Sequence, residues 1–276
     1  MYLIKEKTSL TPFVTKMTIE APLITKHAKV GQFVMIRVEE NGERIPLTLA
    51  DFNKEDGTIS IIFQVVGKTT YLLNQLHRGD SILDCAGPLG KPSELEGLKS
   101  VLLVGGGLGC AILYPIAKAL HKQYTKITTI IGFKNQSFIF LEDEFKNISN
   151  ETYLLTDDGS YGEKGFVTEQ LKKILEHDQS YDEVIAIGPI PMMKAVAELT
   201  RPYHIKTIVS MNPIMVDGTG MCGGCRVKVD NNIKFACVDG PEFDGHLVNF
   251  DELQKRNQMY QEIEGKVYQD VCRGGK

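Results

Sequence analysis

Along the first hundred residues the apolar positions fall in short runs broken by turn residues. Residues 32–38 and 58–66 are rich in β-branched and aromatic side chains. Glu40-Asn41-Gly42, Asp56-Gly57 and Arg78-Gly79-Asp80 separate them, the last standing just before Ser81-Ile82-Leu83-Asp84. Short strands with such punctuation predict a small antiparallel β-barrel over residues 1–98. Residues 87–92, Gly-Pro-Leu-Gly-Lys-Pro, read as the crossing out of it.

The pattern then changes. Residues 100–104 are an apolar run that ends in Gly105-Gly106-Gly107-Leu108-Gly109 and leads into a helical stretch from Cys110 to Leu120. Further strands are predicted at 127–132, 152–156 and 183–187, with helices at 142–146 and 167–177. Strands alternating with helices give a parallel sheet covered on both faces, here over 99–211. Pro115 falls inside the first helix and should remove one backbone hydrogen bond and bend it. From Asn212 glycines and cysteines crowd together, and 212–245 reads as a loop too short for its own core. Asn249-Phe250-Asp251-Glu252 is a helix-start signature, so 246–276 is predicted as a tail helix. The fold class is therefore all-β plus α/β.

Composition narrows the function. A chain of 276 residues that is 42% hydrophobic and 24% charged is neither disordered nor fibrous, and it has room for two domains. Lys+Arg of 31 against Asp+Glu of 35 leaves a net charge of -4, which argues against a nucleic-acid binder. No apolar run approaches the roughly 18 residues a membrane helix needs. The first residues lack a signal-peptide core, so a cytoplasmic protein with no membrane contact is expected.

Six cysteines stand at 85, 110, 222, 225, 237 and 272. Cys85 and Cys110 lie in apolar surroundings and read as buried packing residues. Cys222-Gly223-Gly224-Cys225 is a Cys-x-x-Cys pair to which Cys237 adds a third thiol. A zinc ion or a [2Fe–2S] cluster takes four ligands, and the fourth could be Asp217, His246, Cys272 or an external group. The alternative for Asp217 is a turn-capping side chain.

The glycine turn Gly105, Gly106, Gly107 and Gly109 opens a helix and suits a dinucleotide's phosphates. It equally suits a structural tight turn, because Cys110 breaks the usual fingerprint and no acid follows the second strand. Arg44-Ile45-Pro46-Leu47-Thr48 and Val66-Gly67-Lys68-Thr69-Thr70 each offer hydroxyls, backbone donors and a cation. Asp157 and Asp158 in Thr156-Asp157-Asp158-Gly159 would bind ribose hydroxyls and repel a 2′-phosphate, with Lys134 pulling the other way, and they equally suit a solvated acidic turn.

The order of these motifs resembles the ferredoxin-reductase-type FAD- and NAD-binding electron-transfer subunits. That family takes in the small subunit of NADH-dependent ferredoxin:NADP oxidoreductase (also called sulfide dehydrogenase) and the electron-transfer subunit of dihydroorotate dehydrogenase. The resemblance spans essentially the whole chain. It implies FAD contacts from Arg44, Pro46, Leu47 and Thr48, from Phe63, Gln64 and Val65, and from Gly67, Lys68, Thr69 and Thr70. It implies that the glycine turn, Gly188, Pro189 and Met192 face NAD(H), and that Asp217, Cys222, Cys225 and Cys237 hold the [2Fe–2S] cluster. Two departures stand out. Arg44 lies four residues before Thr48 where the family has three, and Asp217 stands where the dihydroorotate-type loop carries its first cysteine. Aspartate with three cysteines favours the ferredoxin:NADP type. The resemblance then implies a two-to-one electron converter without a catalytic side chain, joined to a larger flavin and iron–sulfur subunit and, through it, to ferredoxin and electron bifurcation. The rivals are a zinc-stabilised nucleotide-binding protein with no turnover and a stand-alone flavin reductase.

Overall fold

The structure, a computed structural model, describes the backbone of residues 1–274 and the side chains of residues 1–271. Strands β1 (Tyr2–Ser9), β2 (Val14–Glu20), β3 (Phe33–Arg37), β4 (Arg44–Asn53), β5 (Thr58–Gln64), β6 (Ser81–Ile82) and β7 (Asp84–Leu89) make one antiparallel sheet. Their order is β6-β1-β2-β5-β4-β3-β7. The two edges, β6 and β7, are separated along the chain by Leu83 alone. Edges that are neighbours in sequence force the sheet to curl back on itself into a half-barrel, its two edge strands joined by the chain and not by a ladder. Two helices, α1 (Pro22–His27) and α2 (Lys68–Gln75), link its strands.

The pleat sorts side chains by parity. Ile59, Ile61 and Phe63 of β5 are buried in the barrel core, whereas Ile62 packs into the core of the second sheet. The crossing read at 87–92 begins later in space, because Gly87, Pro88 and Leu89 finish β7 and Leu89 pairs with Phe33. A proline is tolerated there because β7 is an edge strand with no partner on its far side.

The second sheet is built from β8 (Ser100–Gly106), β9 (Lys126–Phe133), β10 (Glu151–Thr156), β11 (Glu163–Lys164), β12 (Glu183–Ile187) and β13 (Lys206–Ser210), all parallel. Helices α3 (Gly109–Lys122), α4 (Glu142–Ile148), α5 (Val167–His177) and α6 (Ile190–Thr200) alternate with them. One face packs Leu113, Ile116 and Leu120 of α3 and Phe145 of α4. The other packs Leu171 and Leu175 of α5 with Met193 and Val196 of α6. Pro115 lies inside α3, buried.

The segment read as a loop carries its own structure. It holds a hairpin, β14 (Arg226–Val229) and β15 (Asn232–Phe235), a short helix α7 (Ala236–Asp239) and a strand β16 (Glu242–Asp244). β16 pairs antiparallel with β13 and becomes the last strand of the second sheet, in the order β11-β10-β9-β8-β12-β13-β16. The tail forms two helices where one was expected, α8 (Phe250–Asn257) and α9 (Gln261–Gly274). Asn249 caps α8 as its sequence predicts, its side chain accepting the Glu252 N–H at 3.0 Å. Among the described residues no helix is long and apolar enough to cross a membrane.

Candidate functional site

A cleft of about 440 Å³ lies between the two sheets. Pro46, Leu47 and Thr48 of β4 and Gln64 at the end of β5 form its barrel wall. Gly106, Gly107 and Gly109 of the β8–α3 turn, with Gly188 and Pro189 ahead of α6, form the facing wall. Ser210, which ends β13, and Met211, Asn212 and Met215, which follow it, also line the cleft. The fold thus brings together segments that lie far apart in sequence.

Glycine is required at position 109, where a Cβ would overlap the Ile187 carbonyl and push α3 off the end of β12. Gly107 has φ +53 and its N–H donates to the Gly132 carbonyl at 2.8 Å, which pins the turn to β9. Gly105 faces α3, with the Cys110 sulfur where its side chain would be. Met192 stands against Gly106 and Gly188 and buttresses the glycine wall from behind. Cys85 and Cys110 are buried, as read, and burial pushes the Cys85 thiol up to about 12.

Other singled-out residues stand apart from the cleft. Phe63 points into the barrel core and Val65 packs beside that core, its N–H reaching the Phe13 carbonyl at 3.3 Å. Gly67, Lys68, Thr69 and Thr70 open α2. Thr70 accepts the N–H groups of Val66 and Gly67, each at 3.0 Å, and so caps the helix. The buried Thr69 hydroxyl turns to Glu43 at 3.5 Å. Arg44 pairs with Asp84 at 3.3 Å and lies near enough to Asp217 to act on its charge, at the cysteine-loop end of the barrel.

Asp157 and Asp158 follow β10 but differ in environment. Asp158 accepts the Ser160 N–H at 2.9 Å, and its hydrogen bonds to Ser160 hold its carboxyl below the usual range. Partial burial, and then the charge of Asp158, raise Asp157, with Lys134 opposing them.

In the cysteine loop the Cys225 and Cys237 sulfurs lie 3.1 Å apart, both buried and unbridged. Burial, and then the adjacent Cys225, push the Cys237 thiol up to about 12. Cys222 is exposed, and its sulfur accepts the Gly224 N–H at 3.4 Å. The Asp217 carboxylate accepts the Thr219 N–H at 2.9 Å and the Thr219 hydroxyl, which is the turn-capping arrangement; these bonds hold it below the usual range. Among the described residues no group of three His, Cys, Asp or Glu is gathered for one metal ion. The nearest donors to Asp217 are two residues away, so local satisfaction sets its present orientation. The donor set nevertheless fits an iron–sulfur group by its chemistry: soft thiols on a turn of glycines, with a hard carboxylate five residues before them. A Cβ at Gly218 would stand 2.6 Å from the Met35 side chain, so the loop lies directly on the barrel. His246 is engaged elsewhere, its Nε2 3.0 Å from the Thr200 hydroxyl. The side chain of Cys272 lies outside the described residues.

Sequence reasoning missed Phe33, Ile62 and the 210–215 segment as cleft lining. Alternation along β5 could have found Ile62. Nothing in the sequence signals that residues 210–215 fold back into the cleft.

Two family models match the chain. "Oxidoreductase NAD-binding domain" covers residues 103–198, and "Iron-sulfur cluster binding domain of dihydroorotate dehydrogenase B" covers 212–249. The electron transfer subunit homolog of dihydroorotate dehydrogenase B (NAD(+)) from Thermotoga maritima is 50% identical over 96% of this chain and 94% of its own length. The electron transfer subunit of the same enzyme from Fusobacterium nucleatum is 33% identical over 87% and 94%. A chain of the NADH-dependent reduced ferredoxin-NADP oxidoreductase, solved for insights into flavin-based electron bifurcation, superposes with a TM-score of 0.92. It is 47% identical, and the match covers 99% of this chain and 98% of that one. With a curled antiparallel sheet, a glycine-turn nucleotide fold and a cysteine loop along its full length, this chain belongs to the ferredoxin-reductase-like family of electron-transfer subunits that includes those of dihydroorotate dehydrogenase B.

Proposed function

We propose that the chain passes electrons between NAD(H), FAD and a [2Fe–2S] cluster and on to a larger partner subunit, within an NADH-dependent reduced ferredoxin–NADP oxidoreductase. One observation carries this reading: a single cleft is walled by both sheets, and one lining segment, residues 210–215, runs without interruption into the cysteine loop. Bound FAD supplies the conversion between two-electron hydride transfer and one-electron steps that neither nicotinamide nor a cluster performs alone.

The chain's own work is positioning. Pro46, Leu47, Thr48 and Gln64 hold the flavin ring, while the α2 N-terminus and Lys68 attract its diphosphate through the helix dipole and a full charge. Gly106, Gly107 and Gly109, with Gly188 and Pro189, admit the nicotinamide nucleotide close to the main chain. Asp157, whose carboxylate is not tied to Ser160, receives the adenine ribose. Phe33, Ile62, Met211 and Met215 make the cleft apolar and exclude water, which protects a hydride in transit. No side-chain acid or base is required, and orientation of the two rings is the catalytic contribution. Asp217, Cys222, Cys225 and Cys237 hold the cluster, and ferredoxin is reached through the partner.

Anaerobic purification of the complex from its source, with flavin, iron and labile-sulfide analysis, tests the reading. A yellow-brown chain whose flavin is bleached by NADH is expected. A colourless zinc protein would sink it. The second reading, an electron-transfer subunit of NAD-dependent dihydroorotate dehydrogenase, is favoured by the matched cluster-domain model. Co-purification with a subunit that oxidises dihydroorotate would select it.

A further inference from the structure

The last turn of α8 grips the cysteine loop at two points. Arg256 Nη2 donates to the Gly224 carbonyl, inside the Cys222–Cys225 turn, at 3.2 Å. The next residue, Asn257, donates from Nδ2 to the Asn212 carbonyl at 3.1 Å, at the start of the same segment. The helix that carries them is anchored, because Phe250 and Leu253 are buried in the core that contains Cys225 and Cys237. The guanidinium of Arg226, the residue after Cys225, lies over Gly223, its Nη1 3.4 Å from where a Cβ would stand. Arg37 and Arg44 spend their charge on Asp84, but among the described residues neither Arg226 nor Arg256 has an ion-pair partner. Two guanidinium groups without an ion-pair partner therefore lie at one Cys-x-x-Cys turn, Arg256 bonded to its backbone and Arg226 beside Gly223.

We propose that Arg256 and Arg226 are positioning residues for the [2Fe–2S] cluster, fixing the Cys222–Cys225 turn and raising the cluster's reduction potential. The proposal rests on the reading of the loop as the cluster site. Three thiolates and a carboxylate make the loaded site strongly anionic, and each added electron increases that charge. A fixed cation nearby favours the reduced form, and the effect is larger where burial lowers the dielectric. Arginine suits the task because its charge does not titrate and its planar fork can hold a carbonyl while keeping that charge. Among the described residues, the carboxylate of the candidate ligand set is on Asp217, which already lies near Arg44. The two free arginines are thus left to the thiolate side.

The test is an anaerobic redox titration of the full chain followed by electron paramagnetic resonance, with iron and labile sulfide measured on every sample. Arg256→Gln and Arg226→Gln should each move the midpoint to more negative potential, and Arg256→Lys should stay near the unaltered value. Wild-type midpoints in both glutamine variants would overturn the proposal. If Arg256→Gln loses its iron, retention of the cluster in Arg256→Lys together with a lowered midpoint in Arg226→Gln supports it. Loss from Arg256→Lys as well, or a wild-type midpoint in Arg226→Gln, overturns it. An unaltered chain that binds no iron and sulfide would instead overturn the reading of the loop, a different outcome with a different signature.

Discussion

Asp217 stands five residues before Cys222, and its carboxylate is turned to Thr219. Asp217→Cys is expected to keep the cluster with an altered visible spectrum and a shifted potential, because ligand identity sets both. Asp217→Ala should lose or destabilise it, whereas His246→Ala, in a side chain committed to Thr200, should leave it intact. An unchanged spectrum and potential in Asp217→Ala would place the fourth ligand elsewhere. Beyond β10, NAD(H) is expected over NADP(H). Asp157→Asn should narrow that preference about tenfold, the scale of one charge-assisted hydrogen bond; stopped-flow flavin reduction with each nucleotide measures it. Glu242 makes a pH prediction. Its carboxylate accepts the Ser93 hydroxyl at 2.7 Å, and burial raises it from an ordinary 4.5 to about 7. A raised carboxyl contributes stability while protonated, and that contribution is lost as pH rises through about 7. Glu242→Gln should therefore flatten the decline in stability between about pH 4.5 and pH 7, by roughly 3 kcal/mol, as urea unfolding at several pH values would show. Single residues were legible by type and less so by direction. The contiguous run Phe63, Gln64 and Val65 is split by the pleat, and the pair of aspartates is split by Ser160, neither of which composition reveals.

At the scale of elements, α2 carries the flavin prediction. Its first turn is closed by Thr70, which leaves Lys68 and the backbone donors for a diphosphate. Thr48→Val and Lys68→Ala should each weaken FAD retention by roughly 1–2 kcal/mol, read as the flavin-to-protein ratio after dialysis. Full occupancy in the double variant would rule the site out. Thr70→Val should instead cost about 1 kcal/mol of stability through the lost cap. Elements with a strong period were readable from sequence, and α5 falls at 167–177 as its pattern predicts. β1 was not, because only Ile4 of its eight residues is buried and no alternation marks it. The β14–β15 hairpin did carry alternation, Val227 and Val229 in β14 and Ile233 and Phe235 in β15, but its strands of four residues sit among glycines and cysteines that read as loop. Its turn, Asp230-Asn231, takes positive φ at both residues, as a two-residue hairpin loop requires.

For the molecule as a whole, reading the cysteine loop as a one-electron exit implies a larger partner. The native protein is expected as an obligate hetero-oligomer, and recovery of a free, fully active monomer that reduces an acceptor at its own pocket would refute this. The two-sheet architecture could be read from the change of period near residue 100. The cleft could not, because it forms only when the sheets dock. That docking is apolar on both faces: Val14, Ala50 and Ile62 of the barrel join one core, and Phe33 and Met35 join the other, alongside Cys225 and Cys237.

β16 lies within the residues matched by the cluster-domain model, yet it is the edge strand of the nucleotide sheet. The two modules consequently cannot be exchanged as cassettes at the boundary their motifs suggest. A cut after residue 211 strips Ile208, Val209 and Ser210 of their partners Asp244, Phe243 and Glu242 and leaves β13 as a raw edge, open to pairing with another chain. A chimaera, or a lineage that swaps one cluster loop for another, has to inherit β16 with the cysteines. Residues 212–249 then travel as one heritable unit that repairs the sheet it joins.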